Sequence, residues 1–257
     1  MYYAMPLTQR LRKNIKSLSH KNFRDDNAIF LVEGEKLCSE LLKSNITPEC
    51  VVIKDMPSLE VVNLLEQFAE KAVPIYSAPK HVFDQMTDAK TPQSIVAVVH
   101  KLPMNIDYSV PFVALDNIQD PGNVGTIIRT AEWFGIKQII LGNNTADIFN
   151  PKVVRSTMGS VFRINFYETD DLAGLLKKNY KKFKIFGASL QSSNKLDTIK
   201  VPKNFGLVFG NESKGISPEV VSVITSDFII EGFSQTESLN VAVSVGIALY
   251  HFTRKQI

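Results

Sequence analysis

Cysteine is nearly absent from this chain: Cys38 and Cys50 are the only two among 257 residues. Two thiols cannot build a disulfide framework, and neither lies at metal-ligand spacing from a histidine, so both read as small buried hydrophobes and no metal is expected. Histidine is scarce as well. His20, His81, His100 and His251 are scattered, and each reads as a satisfied or solvated ring rather than a catalytic one. No window approaches the roughly 18 consecutive apolar residues that a membrane span requires. The opening MYYAMPLTQRLRKNIK lacks the apolar stretch of a secretory signal. A cytoplasmic protein without a membrane partner is therefore expected. There is no internal repeat and no low-complexity tract.

What is present is a 44% hydrophobic content, enough for a sizeable core in one large domain or two ordinary ones. The net charge is only +3, but residues 1–24 hold Arg10, Arg12, Lys13, Lys16, Lys21 and Arg24 with no acid among them. Such a stretch suits a phosphate-binding arm and equally a solvated helix face. The first hundred residues alternate short apolar runs (AIFLVE, CVVI, SIVAVV) with amphipathic stretches (GEKLCSELLKS, SLEVVNLLEQFAEK), the pattern of a small α/β unit. Residues 101–111, KLPMNIDYSVP, break the periodicity with two prolines, which sets expected domains of 1–105 and 106–257. Beyond this linker FVALD, KQIILG, VFRINF, KIFGAS, GLVFG and DFII read as strands separated by helical crossovers, so a mostly parallel, three-layer sheet is expected.

Three segments carry the candidate chemistry. In LDNIQDPGNVGTIIRTAEWFGI a strand runs through a loop into a helix whose apolar stripe is Val124, Ile127, Ile128, Ala131 and Phe134. Asp120 or Asn123 can cap it, Pro121 suits its first turn and Gly135 its end. Arg129 lies off the stripe, about a turn and a half along a helix whose N-terminus attracts anions, as a phosphate clamp would. A well-capped crossover helix is the plainer reading. Gly122 and Gly125 do not make G-x-G-x-x-G, and no G-K-[ST] follows, which weighs against dinucleotide and nucleoside triphosphate chemistry. In LVFGNESKGISPEV a strand stops at Gly210, and Ser217 and Pro218 restart a helix as N-cap and first residue. Gly210 and Gly215 let the backbone around Asn211 and Glu212 approach a ligand, or simply make a turn. In DFIIEGFSQTESLNVAVSVGIALYHFTR a strand leads through a loop to a helix capped by Ser238, apolar nearly all round and too short for a bilayer. Its small residues, Ala242, Ser244, Gly246 and Ala248, suit close packing, including packing against a second subunit.

In order and spacing, DPGNVGTIIRTAEWFG, NPKVVRSTMGSVFR, LVFGNESKGIS and IEGFSQTESLNVAVSVGIALY resemble the motifs of the SpoU (TrmH-like) RNA 2′-O-ribose methyltransferases of the SPOUT superfamily. The resemblance covers residues 112–254. FLVEGEKLCSELL and TPQSIVAVV are similar to the L30e-like substrate-binding domain that precedes the catalytic domain in many members.

The resemblance implies a C-terminal α/β trefoil knot, although threaded chains break ordinary topology rules. It also implies a homodimer with the active site assembled from both subunits, and S-adenosylmethionine as cofactor. Carried over by motif, Gly210, Ile230 and Leu239 would line the adenosine pocket, and Arg129, Asn123, Glu212, Ser238 and Asn240 fall on the family's functional positions. Arg129 would be either the base acting on the ribose hydroxyl or a clamp that orients the ribose and steadies the alkoxide. Because a guanidinium stays protonated, the clamp is favoured. Where many relatives have proline after the isoleucine of the third motif, this chain has Glu231. The preferred substrate is 23S-type ribosomal RNA, the alternatives being transfer RNA, or a non-catalytic RNA-binding role in ribosome assembly.

Overall fold

The computed structural model describes residues 2–89 and 91–254. It divides into two compact units, one made of residues 1–102 and 147–162, the other of 103–146 and 163–257.

The first unit follows the chain as β1 (Met5–Pro6), α1 (Gln9–Ser17), α2 (Lys21–Asn27), β2 (Ile29–Glu33), α3 (Glu35–Lys43), β3 (Cys50–Lys54), α4 (Leu59–Glu70), β4 (Ile75–Ala78), α5 (Lys80–Phe83) and β5 (Ile95–His100). Its sheet has the order β1-β4-β3-β5-β2, with β5 antiparallel to both β2 and β3 and the other pairs parallel. The helices form where the apolar period is helical: α4 buries Val61, Leu65 and Phe68 and is capped by the Ser58 hydroxyl, which accepts from Val61 N. α3 buries Leu37, Cys38 and Leu41. Both cysteines are free and buried. Burial pushes the Cys50 thiol up to about 12 and the Cys38 thiol up as well, so neither is a ready nucleophile.

The basic start is only partly a surface. Arg10, Lys13 and Lys16 are exposed on α1, but Arg24 is 1% exposed. Its guanidinium donates to Leu18 O (2.7 Å) and Ser19 O (2.9 Å) and pairs with Asp147 at 2.5 Å. Arg24 is therefore removed from the expected phosphate-binding arm, because every nitrogen of its fork is used inside the unit. Asp147 belongs to a segment of 16 residues, 147–162, in which the chain leaves the second unit and folds with the first. Here α7 (Pro151–Thr157) packs on β2, and Arg155 pairs with the buried carboxylate of Glu33 at 2.7 Å. The expected strand VFRINF is correspondingly short. Residues Ser160–Phe162 form a 3-10 turn of this segment, and pairing starts only at Asn165.

The second unit contains β6 (Phe112–Asp116), α6 (Pro121–Trp133), β7 (Gln138–Leu141), β8 (Asn165–Glu168), α8 (Leu172–Asn179), β9 (Lys184–Ala188), β10 (Phe205–Gly210), α9 (Pro218–Val221), β11 (Ser226–Phe228) and α10 (Val241–Thr253). All six strands run parallel in the order β11-β9-β10-β6-β7-β8. A parallel sheet must be covered on both faces. On one face Phe112, Ala114, Ile140 and Val208 meet Leu172 and Leu176 of α8 and Val220 of α9. On the other, α10 lies against β10, with the Phe252 ring tilted against Phe205 (5.1 Å between centroids), and α6 packs on α10. The α/β class, the parallel sheet and the three layers agree with the expectation from sequence.

Breaking a buried ion pair from one side leaves a lone charge in a poorly solvated place. Arg24→Ala is expected to destabilise the protein by about 3 to 5 kcal/mol, seen as a lower urea midpoint. A loss below about 1 kcal/mol would mean that the Arg24–Asp147 pair is solvated in solution.

Candidate active site at the carboxyl edge of the parallel sheet

In a parallel sheet every strand ends at the same edge, and a crevice opens where neighbouring strands send their connections in opposite directions. Here that point lies between β6 and β10. β6 continues outward to β7 and β8, while β10 continues past β9 to β11. The two strands stay in register to their last residues, Asp116 beside Gly210. Their loops therefore emerge side by side. Together they enclose a cleft of about 530 Å³, lined by Asn117, Gln119, Asp120 and Asn123 from the first loop and by Asn211, Glu212, Ser213 and Lys214 from the second.

The helix cap decides what Asn123 can do. Asp120 is the N-cap of α6, its carboxylate accepting from Asn123 N at 2.9 Å, with Pro121 in the first turn. The Asn123 side chain is thereby left free. Its Nδ2 donates to Glu212 Oε1 at 2.7 Å, and its Oδ1 accepts from Asn240 Nδ2 at 2.9 Å. Three of the expected site residues, one from each motif loop, thus form a single hydrogen-bonded chain. Asn240, rather than Ser238, is also the N-cap of α10, accepting from Ala242 N at 2.9 Å. The expected cap is two residues too early, because the chain is still in loop conformation at Ser238 and helix starts only at Val241.

The second loop is wound tightly by Asn211. Its Oδ1 accepts from Ser213 N (3.0 Å) and Lys214 N (3.1 Å), its carbonyl accepts from Gly215 N (2.8 Å), and its Nδ2 reaches across to Asn117 O (3.0 Å). A Cβ on Gly210 would lie 2.2 Å from the backbone carbon of Gly215, so only glycine permits this return of the chain. Two further residues are not singled out by motif spacing. Asp116, buried at the end of β6, accepts from Ser217 N at 2.7 Å and pins the far end of the same loop. Asn117 turns the chain at φ +61°, a left-handed conformation that asparagine tolerates better than most residues. An Asp-Asn pair at the end of a buried strand is the signal that could have found them.

The third loop, residues 231–240, is exposed throughout, including Ser238 and Leu239. Gly210, the last residue of β10, and Ile230, two residues past β11, are half-buried. Glu231, the departure from proline, forms an ion pair with Lys195 at 2.7 Å, and its carboxylate holds the Lys195 ammonium above its ordinary pKa. The side chain thus ties the root of the loop to the turn before β10. Arg129 is exposed on α6, does not line the cleft, and has no ion pair or side-chain hydrogen bond among the described residues. Six residues on from Asn123 it sits about 9 Å along the axis and about 120° round it, and no hydrogen bond joins it to Asn123, Glu212 or Asn240. No cluster able to hold a metal ion is found among the described residues, and no helix in them is long and apolar enough to cross a membrane.

Residues 111–250 match the model of the SpoU rRNA Methylase family, and residues 12–97 match that of the MRM3-like substrate binding domain. The chain belongs to the SpoU family. It is a methyltransferase of that family with a substrate-binding domain in front of it. The 23S rRNA (guanosine(2553)-2′-O)-methyltransferase RlmP of Bacillus subtilis is 32% identical over 93% of this chain and 94% of its own length. A solved putative RNA methyltransferase of the TrmH family from Porphyromonas gingivalis superposes with a TM-score of 0.82 at 30% identity, over 97% of this chain and 99% of that one. An rRNA methyltransferase from Sinorhizobium meliloti solved with AdoMet bound gives a TM-score of 0.84 at 28% identity, over 99% and 98%.

Direct hydrogen bonds between polar side chains contribute about 1 kcal/mol each, and residues that share one are coupled. Comparing Asn123→Ala, Asn240→Ala and the double variant in urea should give a coupling energy of about 0.5 to 1.5 kcal/mol. Losses that add to within about 0.3 kcal/mol would show that the bridge between the first and third loops is not made.

Proposed function

We propose that this SpoU-family enzyme transfers a methyl group from S-adenosylmethionine to a ribose 2′-hydroxyl of large-subunit ribosomal RNA, in the cytoplasm, as a homodimer with a knotted catalytic domain. The observation that carries the reading is the Glu212–Asn123–Asn240 chain, which joins the three motif loops at one sheet edge. The RNA assignment draws further support from the substrate-binding domain and from the rRNA-modifying relative that spans nearly the whole length.

The residues fit the cofactor. Gly210, bare of a side chain because the chain folds back on it, and the apolar Ile230 and Leu239 would line the adenine ring, which needs apolar contact and a few hydrogen bonds from loop backbone. When bound, the cofactor supplies the methyl group on a sulfonium. The protein must then align the ribose oxygen behind that carbon, take up its proton and steady the charge that develops on the oxygen. Asn123 and Glu212 hold the loops, Asn240 anchors the third loop at the start of α10, and Ser238 contacts cofactor or target. Arg129, with its fork unspent, orients the ribose and its phosphate. Since Arg129 neither lines the cleft nor bonds to the other three in its own chain, we assign it to the site of the partner copy. An exposed apolar stripe along α10 (Val243, Ile247 and Tyr250) and the 85% exposed Trp133 on α6 support such pairing.

The test is incorporation of labelled methyl into separated ribosomal and transfer RNA from cells lacking the protein. Label is expected in the large-subunit RNA, with turnover about 10²-fold lower for Arg129→Ala and substantially lower for Arg129→Lys. Label in transfer RNA alone would replace the substrate, and near-normal turnover of the lysine variant would remove Arg129 from the mechanism. Light scattering should give a mass twice that of the chain. A stable monomer at working concentration would rule out the composite site.

A further inference from the structure

We infer that Lys214 is a substrate-positioning residue: its ammonium grips a backbone phosphate of the RNA strand next to the target ribose. This rests on the RNA reading above. Among the described residues Lys214 is the one cation lining the cleft, which otherwise presents two carboxylates, Asp120 and Glu212, and neutral polar groups. Both carboxylates are occupied within the protein, Asp120 by the α6 backbone and Glu212 by Asn123. Neither forms an ion pair with Lys214 among the described residues. Among the described residues the Lys214 side chain has no ion pair and no hydrogen bond.

Its backbone, in contrast, is fixed. Lys214 N donates to Asn211 Oδ1 at 3.1 Å, and Asn211 is itself tied to the first loop through Asn117 O. A lysine held at its root and free at its tip, at the rim of a cleft that must admit a polyanion, has an evident counter-ion. Two carboxylates in the cleft repel an approaching strand over the Debye length of about 8 Å, and one ammonium there offsets part of that repulsion. A phosphodiester flanks every ribose of the chain, so whichever nucleotide is methylated presents a phosphate beside the reacting sugar. A single ammonium, unlike a guanidinium, imposes no bidentate geometry and tolerates the slant of whichever phosphate arrives.

The assignment predicts a particular kinetic pattern. With unmodified large-subunit ribosomal RNA from cells lacking the protein, Lys214→Ala should raise KM for RNA about 10-fold, the cost of one lost charge-assisted contact. It should leave kcat at saturating RNA and the Kd for S-adenosylmethionine within about 2-fold. The slope of log(kcat/KM) against log[KCl] should become shallower by about one, as expected for one phosphate contact fewer, and Lys214→Arg should restore both KM and slope. A merely structural role for the lysine would move the cofactor Kd or the melting temperature and leave the slope unchanged. An unchanged slope with an active wild type, or a loss confined to kcat, overturns the assignment alone. A wild type that neither binds nor methylates RNA overturns it together with the substrate reading.

Discussion

The pairing of β6 with β10 in register to Asp116 and Gly210 is the constraint on which the rest of the site depends. Because these two central strands are parallel and end level, the loops that follow are forced side by side, and because their connections diverge, nothing from the sheet fills the gap. Everything chemical is then added at the tips. Asp116 and Asn211 stitch the second loop back to the end of β6 and to Asn117, and Asn123 reaches from the first loop to the second and the third. A shift of the pair by one residue would turn Asp116 to the opposite face and separate those partners.

The same constraint explains why Gly210 carries no side chain. The loop after it must return within van der Waals distance of its own strand for Ser217 N to find Asp116. The dense hydrogen bonding of Asn211 is what holds so tight a return. The second motif loop, which looks Gly-rich and loose in sequence, is short and over-determined in this fold.

Most of the architecture was legible in the residues. Alternating apolar runs located the strands, and the stripe of α6 located its buried face, while its cap was narrowed to Asp120 or Asn123 and the structure selects Asp120. The motif resemblance named Asn123, Glu212 and Asn240 before any geometry joined them. Other features were not legible, each for a physical reason. The cap of α10 fell at Asn240 because both Ser238 and Asn240 are good caps and only the loop's path chooses between them. Arg24 looked like one more surface cation, since a basic run carries no mark of which member is buried against Asp147. The helix α10 looked suited to full burial, yet Val243, Ile247 and Tyr250 are exposed in the single chain. An all-round apolar helix states how much surface it wants covered but not by which chain.

The stretch 147–162 lies within the span matched by the methylase family and yet folds with the other unit. Ancestry and architecture therefore draw the border in different places. A substrate-binding domain inherited as a detachable cassette could be traded between enzymes by one crossover in the linker. Here a single exchange would part Asp147 from Arg24 and Arg155 from Glu33, leaving each new combination with charges matched to a sequence it no longer has. Recombination that preserves the fold must carry two separated stretches together, so the two units are bound to diverge as one lineage.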